Sequence, residues 1–207
     1  MDKELLKLFL DVIQTTAVIV GLVYGLNAWR REHHGRRRYE LAEEVLAVFY
    51  EARDRIASIR NFVGFEDGGA GRKVARSETA EEKDARDRAN VVYARYSDHR
   101  QFFSHLQSLR YRFMALFGRD AAKPFDDLAR VMNEIFIAAR MLARLWALKP
   151  SEGAAGGKLL DDIRRYEQVI WSEGDEGDLV LTRINKAVAD IELTCGPIIQ
   201  AAVRKAA

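Results

Sequence analysis

The residues best suited to chemistry lie between Tyr93 and Phe113, where cationic and aromatic side chains are interleaved. The stretch reads YARYSDHRQFFSHLQSLRYRF and contains one acid, Asp98. Guanidinium groups bind phosphates through paired hydrogen bonds, and aromatic faces stack on bases. We therefore expect an anion site for a nucleotide, an oligonucleotide or an acidic peptide. Its candidate residues are Arg95, His99, Arg100, Arg110 and Arg112.

Two further arginines, Arg140 and Arg144, are one helical turn apart and have no acid between them. That spacing can clamp a phosphate, so both join the candidate anion-binding residues. A competing interpretation is purely structural, because charge runs are usually solvated or paired faces. In that case the aromatic rings pack inward and the arginines pair with acids on neighbouring helices. The acid-rich tract 161–178 is the candidate source of those acids.

Signals for catalysis are missing from the chain. It has no HExxH or GxSxG motif, no Cys/His nucleophile pair with a third member, and no metal-spaced cluster. The pairs Asp126/Asp127 and Asp161/Asp162 stand near predicted helix starts, where capping and the helix dipole explain them. We therefore expect a protein that is not an enzyme and that holds no cofactor and no metal.

An uncharged segment of 18 residues, Val12 to Trp29, is long enough to be a membrane-spanning helix. Small and polar residues form a stripe along one side of it, with Gly21 and Gly25 as a GxxxG pair. The stripe is either a helix-packing face or the lining of a pore, unless the GxxxG pair arises by chance. The candidate residues of the stripe are Asp11, Gln14, Ala17, Gly21, Gly25 and Ala28.

The charges that flank this segment predict its orientation. Residues 1–38 carry 7 basic and 4 acidic side chains, whereas residues 39–207 carry 26 basic and 27 acidic ones. By the positive-inside rule, the chain after Trp29 is cytoplasmic and a short N-terminal tail lies outside the inner membrane. The basic residues expected at the membrane surface, where they suit anionic headgroups, are Arg30, Arg31, Arg36, Arg37 and Arg38.

The remaining pattern predicts an all-α protein: one N-terminal transmembrane helix in 1–30, a basic segment in 31–38, and a cytoplasmic helical bundle in 39–207. Apolar spacing indicates a first bundle helix over 38–63, either continuous with the membrane helix or interrupted at Gly35. Glycine-rich linkers are expected near 64–77 and 149–157, and Gly196–Pro197 is expected to break the last helix. Cys195 is expected to be a buried apolar residue. The predicted helices are 38–63, 79–117, 124–148, 158–172, 178–195 and a short terminal helix.

In layout, the segment from Val12 to Trp29 followed by a helical body resembles the single-span membrane effectors of bacterial anti-phage defence systems. That resemblance implies a ligand-sensing cytoplasmic domain coupled to oligomeric membrane helices. We expect a homo-oligomer that senses a nucleotide or oligonucleotide and opens a pore or disrupts the membrane. The alternative is a membrane tether or adaptor whose helical domain recruits a protein partner, and the expected partners otherwise are lipids and copies of the chain itself.

Overall fold

The computed structural model describes residues 3–63, 77–148, 154–172 and 177–206, and every regular element in these ranges is helical. This confirms the predicted all-α helical bundle. Side chains of residues 3–13, 17, 23, 27–28, 30–34, 154 and 205–206 lie outside the description. The helices in these ranges are α1 (Lys3–Ile59), α2 (Ala80–Asp98), α3 (Arg100–Phe117), α4 (Lys123–Leu145), α5 (Ala154–Ile170) and α6 (Leu179–Ala206), with a 3-10 turn at Asp120–Ala122.

The longest element, α1, is one uninterrupted helix of 57 residues that continues through Gly35 and the basic segment. At a rise of about 1.5 Å per residue it is about 85 Å long. The predicted apolar face of this helix is confirmed, because the apolar residues that form it between Leu41 and Ile59 are buried in the bundle. Only the last third of α1 therefore belongs to the core. The buried residues that recur at three- and four-residue spacing are Leu41, Val45, Val48, Phe49, Ala52, Ile56 and Ile59.

The core forms where α4 packs against α2, α5 and α6, while α6 also packs along α1. Phe125 of α4 meets Phe49 edge-on at a centroid distance of 4.8 Å and contacts Phe113 at 5.6 Å. Each large apolar side chain that is fully buried contributes about 1.5–3 kcal/mol relative to exposure. These contacts hold the end of α1 rigidly in the bundle.

The helix predicted over 79–117 is in fact two helices, because the chain bends at His99. The His99 backbone has φ −103° and ψ 9°, and its N–H donates to the carbonyl of Tyr96. In a straight helix, residues seven apart are separated by about 10.5 Å along the axis. The rings of Tyr96 and Phe103 instead stack at 5.0 Å. Packing of both rings into one aromatic cluster therefore interrupts the continuous helix that the sequence predicts over 79–117.

The predicted ends of this region are confirmed. Thr79 and Glu82 form a reciprocal capping box at the start of α2. Gly118, with φ +90°, ends α3 in a conformation that side chains disfavour. Farther along, α4 ends at Leu145, earlier than expected. The next helix, α5, begins at Ala154, so it includes Gly156 and Gly157, which the sequence assigned to the linker near 149–157.

The predicted break at Gly196–Pro197 is wrong, since α6 continues from Leu179 to Ala206. Proline removes the hydrogen bond to the carbonyl four residues earlier, that of Leu193, whose side chain is 76% exposed. Proline also disfavours helical geometry in the preceding residue by clashing with its Cβ. Gly196 has no Cβ, so the helix passes through. Cys195 is buried as predicted, and burial raises its pKa to about 11.

Within the residues that the structure describes, no helix has a stretch long and apolar enough to cross a membrane. The predicted span, 12–29, contains residues whose side chains lie outside that description.

Candidate functional site

The first candidate site is the segment of α1 that precedes the bundle, residues 14–29. Every described side chain in it is exposed, including Val18 at 57%, Tyr24 at 75% and Trp29 at 61%. Gly21 and Gly25 are exposed on this segment, and a Cβ added to either would meet no atom of the chain within 4 Å. Gln14 is exposed as well. The other predicted stripe residues, Asp11, Ala17 and Ala28, have side chains outside the described residues.

The basic segment follows on the same helix. Arg36 pairs with Glu40 at 2.8 Å, both of them largely exposed, whereas Arg37 and Arg38 are exposed without an ion pair in the described chain. The guanidinium of Arg38 lies over the Phe117 ring at 5.1 Å, so the basic segment touches the end of α3. Arg30 and Arg31 have side chains outside the described residues. The described part of this segment leaves cationic charge available to an anionic partner.

Most of the predicted anion-binding residues are engaged by other groups of the bundle. Arg95 donates to the backbone carbonyls of Ile59 at 3.3 Å and of Asn61 and Val63. It therefore caps the C-terminal end of α1, whose last carbonyls have no partner within the helix. Burial lowers the pKa of Arg95 from its ordinary value. This guanidinium is committed to the fold.

Three other members of the set pair with groups of the bundle. His99 Nδ1 lies 2.6 Å from Arg55 Nη1, and because arginine can only donate, this nitrogen accepts. Arg110 Nε donates to Asp126 at 2.8 Å, and Arg112 pairs with Glu44 at 3.1 Å. The paired interpretation is thus supported for these residues. Their acids come from α1 and α4 rather than from the tract 161–178.

Three members of the set, Arg100, Arg140 and Arg144, are exposed and make no hydrogen bond or ion pair within the described residues. Arg100 stands at the rim of a groove of about 800 Å³ between α3, the end of α2, and α4. No acid among the described residues lines this groove, and its volume is in the range of small-molecule sites. The floor is apolar and the rim carries amides. The lining residues are Tyr96, Arg100, Gln101, Phe103, Ser104, Leu106, Gln107, Phe125, Leu128, Ala129, Met132, Asn133 and Phe136.

The aromatic rings of the stretch pack mainly against one another. Tyr93 stacks on Phe136 of α4 at 5.5 Å, and Tyr96 meets the same ring edge-on at 4.9 Å. The Tyr93 hydroxyl donates to the Phe136 carbonyl at 3.0 Å. Tyr111 is 60% exposed and lies beside Arg110. The aromatic residues chiefly build the wall between α2, α3 and α4, which leaves Arg100 as the charged group of the groove.

A second arginine, Arg60, has a role that sequence reasoning missed. It is 1% exposed and donates to both carboxylate oxygens of Asp178, at 2.7 and 3.1 Å. It also donates to the carbonyls of Gln168, Val169 and Trp171 at the end of α5. Asp178 in turn accepts from the N–H groups of Val180 and Leu181, which caps α6. Asp178 precedes an apolar run, which is a sequence signal for a helix cap. Nothing in the sequence distinguishes Arg60 from the other arginines.

Arg60, Asp178 and the groups that they bind form a node that joins the end of α1, the end of α5 and the start of α6. Burial alone would raise the pKa of Asp178, but the hydrogen bonds from Arg60 and from the two N–H groups more than offset it and hold the pKa below its usual range. A charge pair that is buried and fully hydrogen-bonded fixes geometry even where its net stabilisation is small. The node sets how the end of α1 meets α5 and α6.

No group of three His, Cys, Asp or Glu residues in the described ranges is placed to hold a metal ion. Comparison with protein-family models, with curated proteins and with solved structures finds no match to this chain. Function therefore has to be argued from the exposed segment of α1 and from the groove at Arg100.

Proposed function

We propose that the protein is a homo-oligomeric membrane effector in which the N-terminal segment of α1 inserts into a bilayer and the helical bundle regulates it from the cytoplasmic side. The observation that carries this proposal is one continuous helix whose exposed apolar part and buried core part share a backbone. The layout agrees with the resemblance to effectors of anti-phage defence.

Insertion is supported by the apolar surface that the chain itself leaves uncovered. Side chains such as Ile19, Leu22 and Leu26 are each more than half exposed. Contiguous exposed apolar surface marks a site of protein–protein or membrane contact. A helix satisfies its own backbone hydrogen bonds, so it can enter hydrocarbon without unpaired polar groups in the main chain. Both lipid and neighbouring copies would then cover this segment.

Regulation by a ligand is supported by the groove rather than by the whole arginine set. Arg100 supplies a cation at a groove that has an apolar floor and, within the described part of the chain, no acid in its lining. That combination suits a small anion that carries an apolar or planar part, such as a nucleotide. A ligand can shift the bundle only through different affinities for its two states. Arg140 and Arg144 are exposed on α4 and extend the positive surface near this region.

The proposal is tested first by flotation of the full chain with vesicles. We expect the unaltered protein to float, and the double substitution Ile19→Glu with Leu22→Glu to abolish flotation. Each charge in an inserted helix costs about 2.5–3.5 kcal/mol, so partitioning falls at least about a hundredfold. The matched control is Leu193→Glu on α6, where a leucine that is also more than half exposed belongs to the bundle. Flotation that survives the double substitution would contradict insertion.

Ligand binding is tested by equilibrium dialysis with ATP and with short oligoribonucleotides. We expect Arg100→Gln to weaken binding by about tenfold, since a charge-assisted hydrogen bond is worth about 1.5–3 kcal/mol. The matched control is Arg164→Gln, which removes an exposed arginine from α5. Equal affinities for the unaltered chain and both variants would show that the groove does not bind these anions.

A tether or adaptor is the second candidate function. It is favoured by the pairing of Arg95, Arg110 and Arg112 inside the bundle, which removes three cations from the predicted sensor. In that case the N-terminal segment would only localise the bundle, and replacing it with a leucine-rich helix would leave function intact.

A further inference from the structure

The end of the bundle from which the exposed part of α1 emerges brings three helices together. Arg37, Glu40 and Leu41 of α1 share a shallow groove with Arg112, Ala115 and Leu116 of α3. The Arg38 guanidinium covers Phe117 at 5.1 Å, next to the Gly118 end of α3. Arg119 follows directly. We call this surface, together with the end of α6, the basal end.

The C-terminal turns of α6 reach the same end because α6 runs antiparallel to α1. Arg60 pairs with Asp178, and Tyr50 donates to Glu192 at 2.6 Å. Ten residues back along α1, from Arg60 to Tyr50, thus correspond to fourteen residues forward along α6, from Asp178 to Glu192, so the two helices run in opposite directions. Extending this antiparallel pairing toward the C-terminal end of α6 places Val203 and Arg204 beside the residues that follow Arg38.

The described side chains of the basal end combine cations with exposed apolar groups. Arg37, Arg38, Arg119 and Arg204 are exposed, and none of them has an ion pair within the described residues. Leu116 is 40% exposed and Val203 is 58% exposed. The acids of this end are largely engaged, because Glu40 pairs with Arg36 and Glu44 with Arg112. Two exposed acids, Asp120 and Glu43, oppose the four arginines, and Glu43 is hydrogen-bonded to Tyr39.

We propose that the basal end is a docking surface for the anionic headgroup layer of a bilayer. The bundle then contacts the membrane directly and is not attached to it through α1 alone. The inference rests on the proposed insertion of α1. Arg37 is eight residues beyond Trp29, which is about 12 Å along the helix. If Trp29 lies at the interface, that distance is about one and a half Debye lengths of about 8 Å, and the long arginine side chain shortens the gap to the headgroups. Basic side chains beside exposed leucine and valine are the combination that surface-bound helices present to anionic lipid.

The test uses an environment-sensitive fluorophore on a new cysteine in the full chain. Cys195 is buried and its raised pKa of about 11 keeps it a thiol at neutral pH, so the new site is labelled selectively. Leu116→Cys reports on the basal end, and Val203→Cys is an independent second position. Leu179→Cys is the matched control, because it is 77% exposed at the opposite end of the bundle, next to Asp178.

We expect blue-shifted emission from Leu116→Cys and Val203→Cys on vesicles that contain phosphatidylserine, and no shift from Leu179→Cys. Arg119→Gln with Arg204→Gln should remove the shift, as should high salt, while flotation persists through α1. Inorganic phosphate without lipid should leave the emission unchanged. A shift of equal size on pure phosphatidylcholine would overturn the role of charge. Protein that floats with no shift at either basal position would overturn docking alone, whereas loss of flotation would overturn the proposed function itself.

Discussion

Arg60 and Arg95 illustrate how the neighbours of an arginine decide its role. Both satisfy backbone carbonyls at helix ends, and Arg60 in addition neutralises Asp178 in the interior. Arg100 has the same side chain but reaches no partner within the described residues and faces a groove. At this scale the structure separates arginines that hold the bundle together from one that is available to a ligand.

We predict that Asp178→Asn lowers the free energy of unfolding by about 3–5 kcal/mol, because it leaves the Arg60 charge buried without a counterion. Asp162→Asn is the control. It removes an equivalent carboxylate from the pair with Arg165, in which the arginine side chain is 66% exposed, and should change stability by about 0.5 kcal/mol or less. Urea unfolding followed by tryptophan fluorescence measures both. Equal effects would mean that the buried pair contributes no more than a surface pair.

The same residue predicts a pH dependence. The pKa of Asp178 is lower in the folded chain than in the unfolded one, so the unfolded state binds the proton more readily. Its stabilising contribution is therefore complete above the unfolded pKa of about 4 and is lost as the pH falls through the folded value. Stability curves from neutral to acidic pH should fall less steeply for Asp178→Asn than for the unaltered chain. Parallel curves for the two would contradict this assignment.

At the scale of elements, two helices are longer than their local sequence suggests. In α1 the glycine and the run of like charges after Trp29 do not interrupt the helix, and in α6 the helix passes through Pro197. Glycine weakens a helix by only about 1 kcal/mol relative to alanine, which packing of the neighbouring turns can offset. Under the proposed function, a continuous α1 would transmit movement of the bundle to the exposed segment.

We predict that Pro197→Ala raises the free energy of unfolding by about 1–3 kcal/mol, because it restores the hydrogen bond to the Leu193 carbonyl. Gly196→Ala should change the free energy of unfolding in opposite directions in the chain with Pro197 and in the Pro197→Ala variant. With Pro197 present the new Cβ clashes with the proline ring and destabilises α6, whereas in the Pro197→Ala background it should stabilise the helix by about 1 kcal/mol. No chain atom lies within 4 Å of that Cβ otherwise. A double-mutant cycle measured by thermal unfolding would show the change of sign, and additive effects would argue against it.

At the scale of the whole molecule, the effector and the tether differ in what the exposed part of α1 does. Gly21→Leu with Gly25→Leu is a suitable probe, because both glycines are exposed, an added Cβ at either meets no neighbouring group within 4 Å, and leucine improves helix propensity. If copies pack through this face, we expect the detergent-solubilised protein to lose its oligomeric mass and to lose dye leakage from liposomes. Val18→Leu with Val20→Leu is the control on the same segment. An unchanged mass and unchanged leakage would favour the tether.

Much of the architecture follows from the sequence alone. The spacing of apolar residues predicts the core face of α1, and the bounds of the helix predicted over 79–117 match the start of α2 and the end of α3 to within one residue. These features are local, since the residues concerned lie within a few turns of one another. The apolar segment before the basic run is likewise read directly from residue types, and its insertion into a membrane stays a prediction.

What only the tertiary structure decided depends on residues far apart in the chain. Tyr96 and Phe103 stack across the bend at His99, and Tyr96 also meets Phe136, which lies 40 positions later in the chain. Arg60 finds Asp178 across 118 positions, and Arg95 reaches the end of α1 from α2. A sequence shows which side chains can pair but not which of them meet, because pairing is decided by the packing of whole helices. That is why the arginine stretch could be identified as unusual from its composition, while the division into Arg95, which caps a helix, and Arg100, which remains available, required the fold.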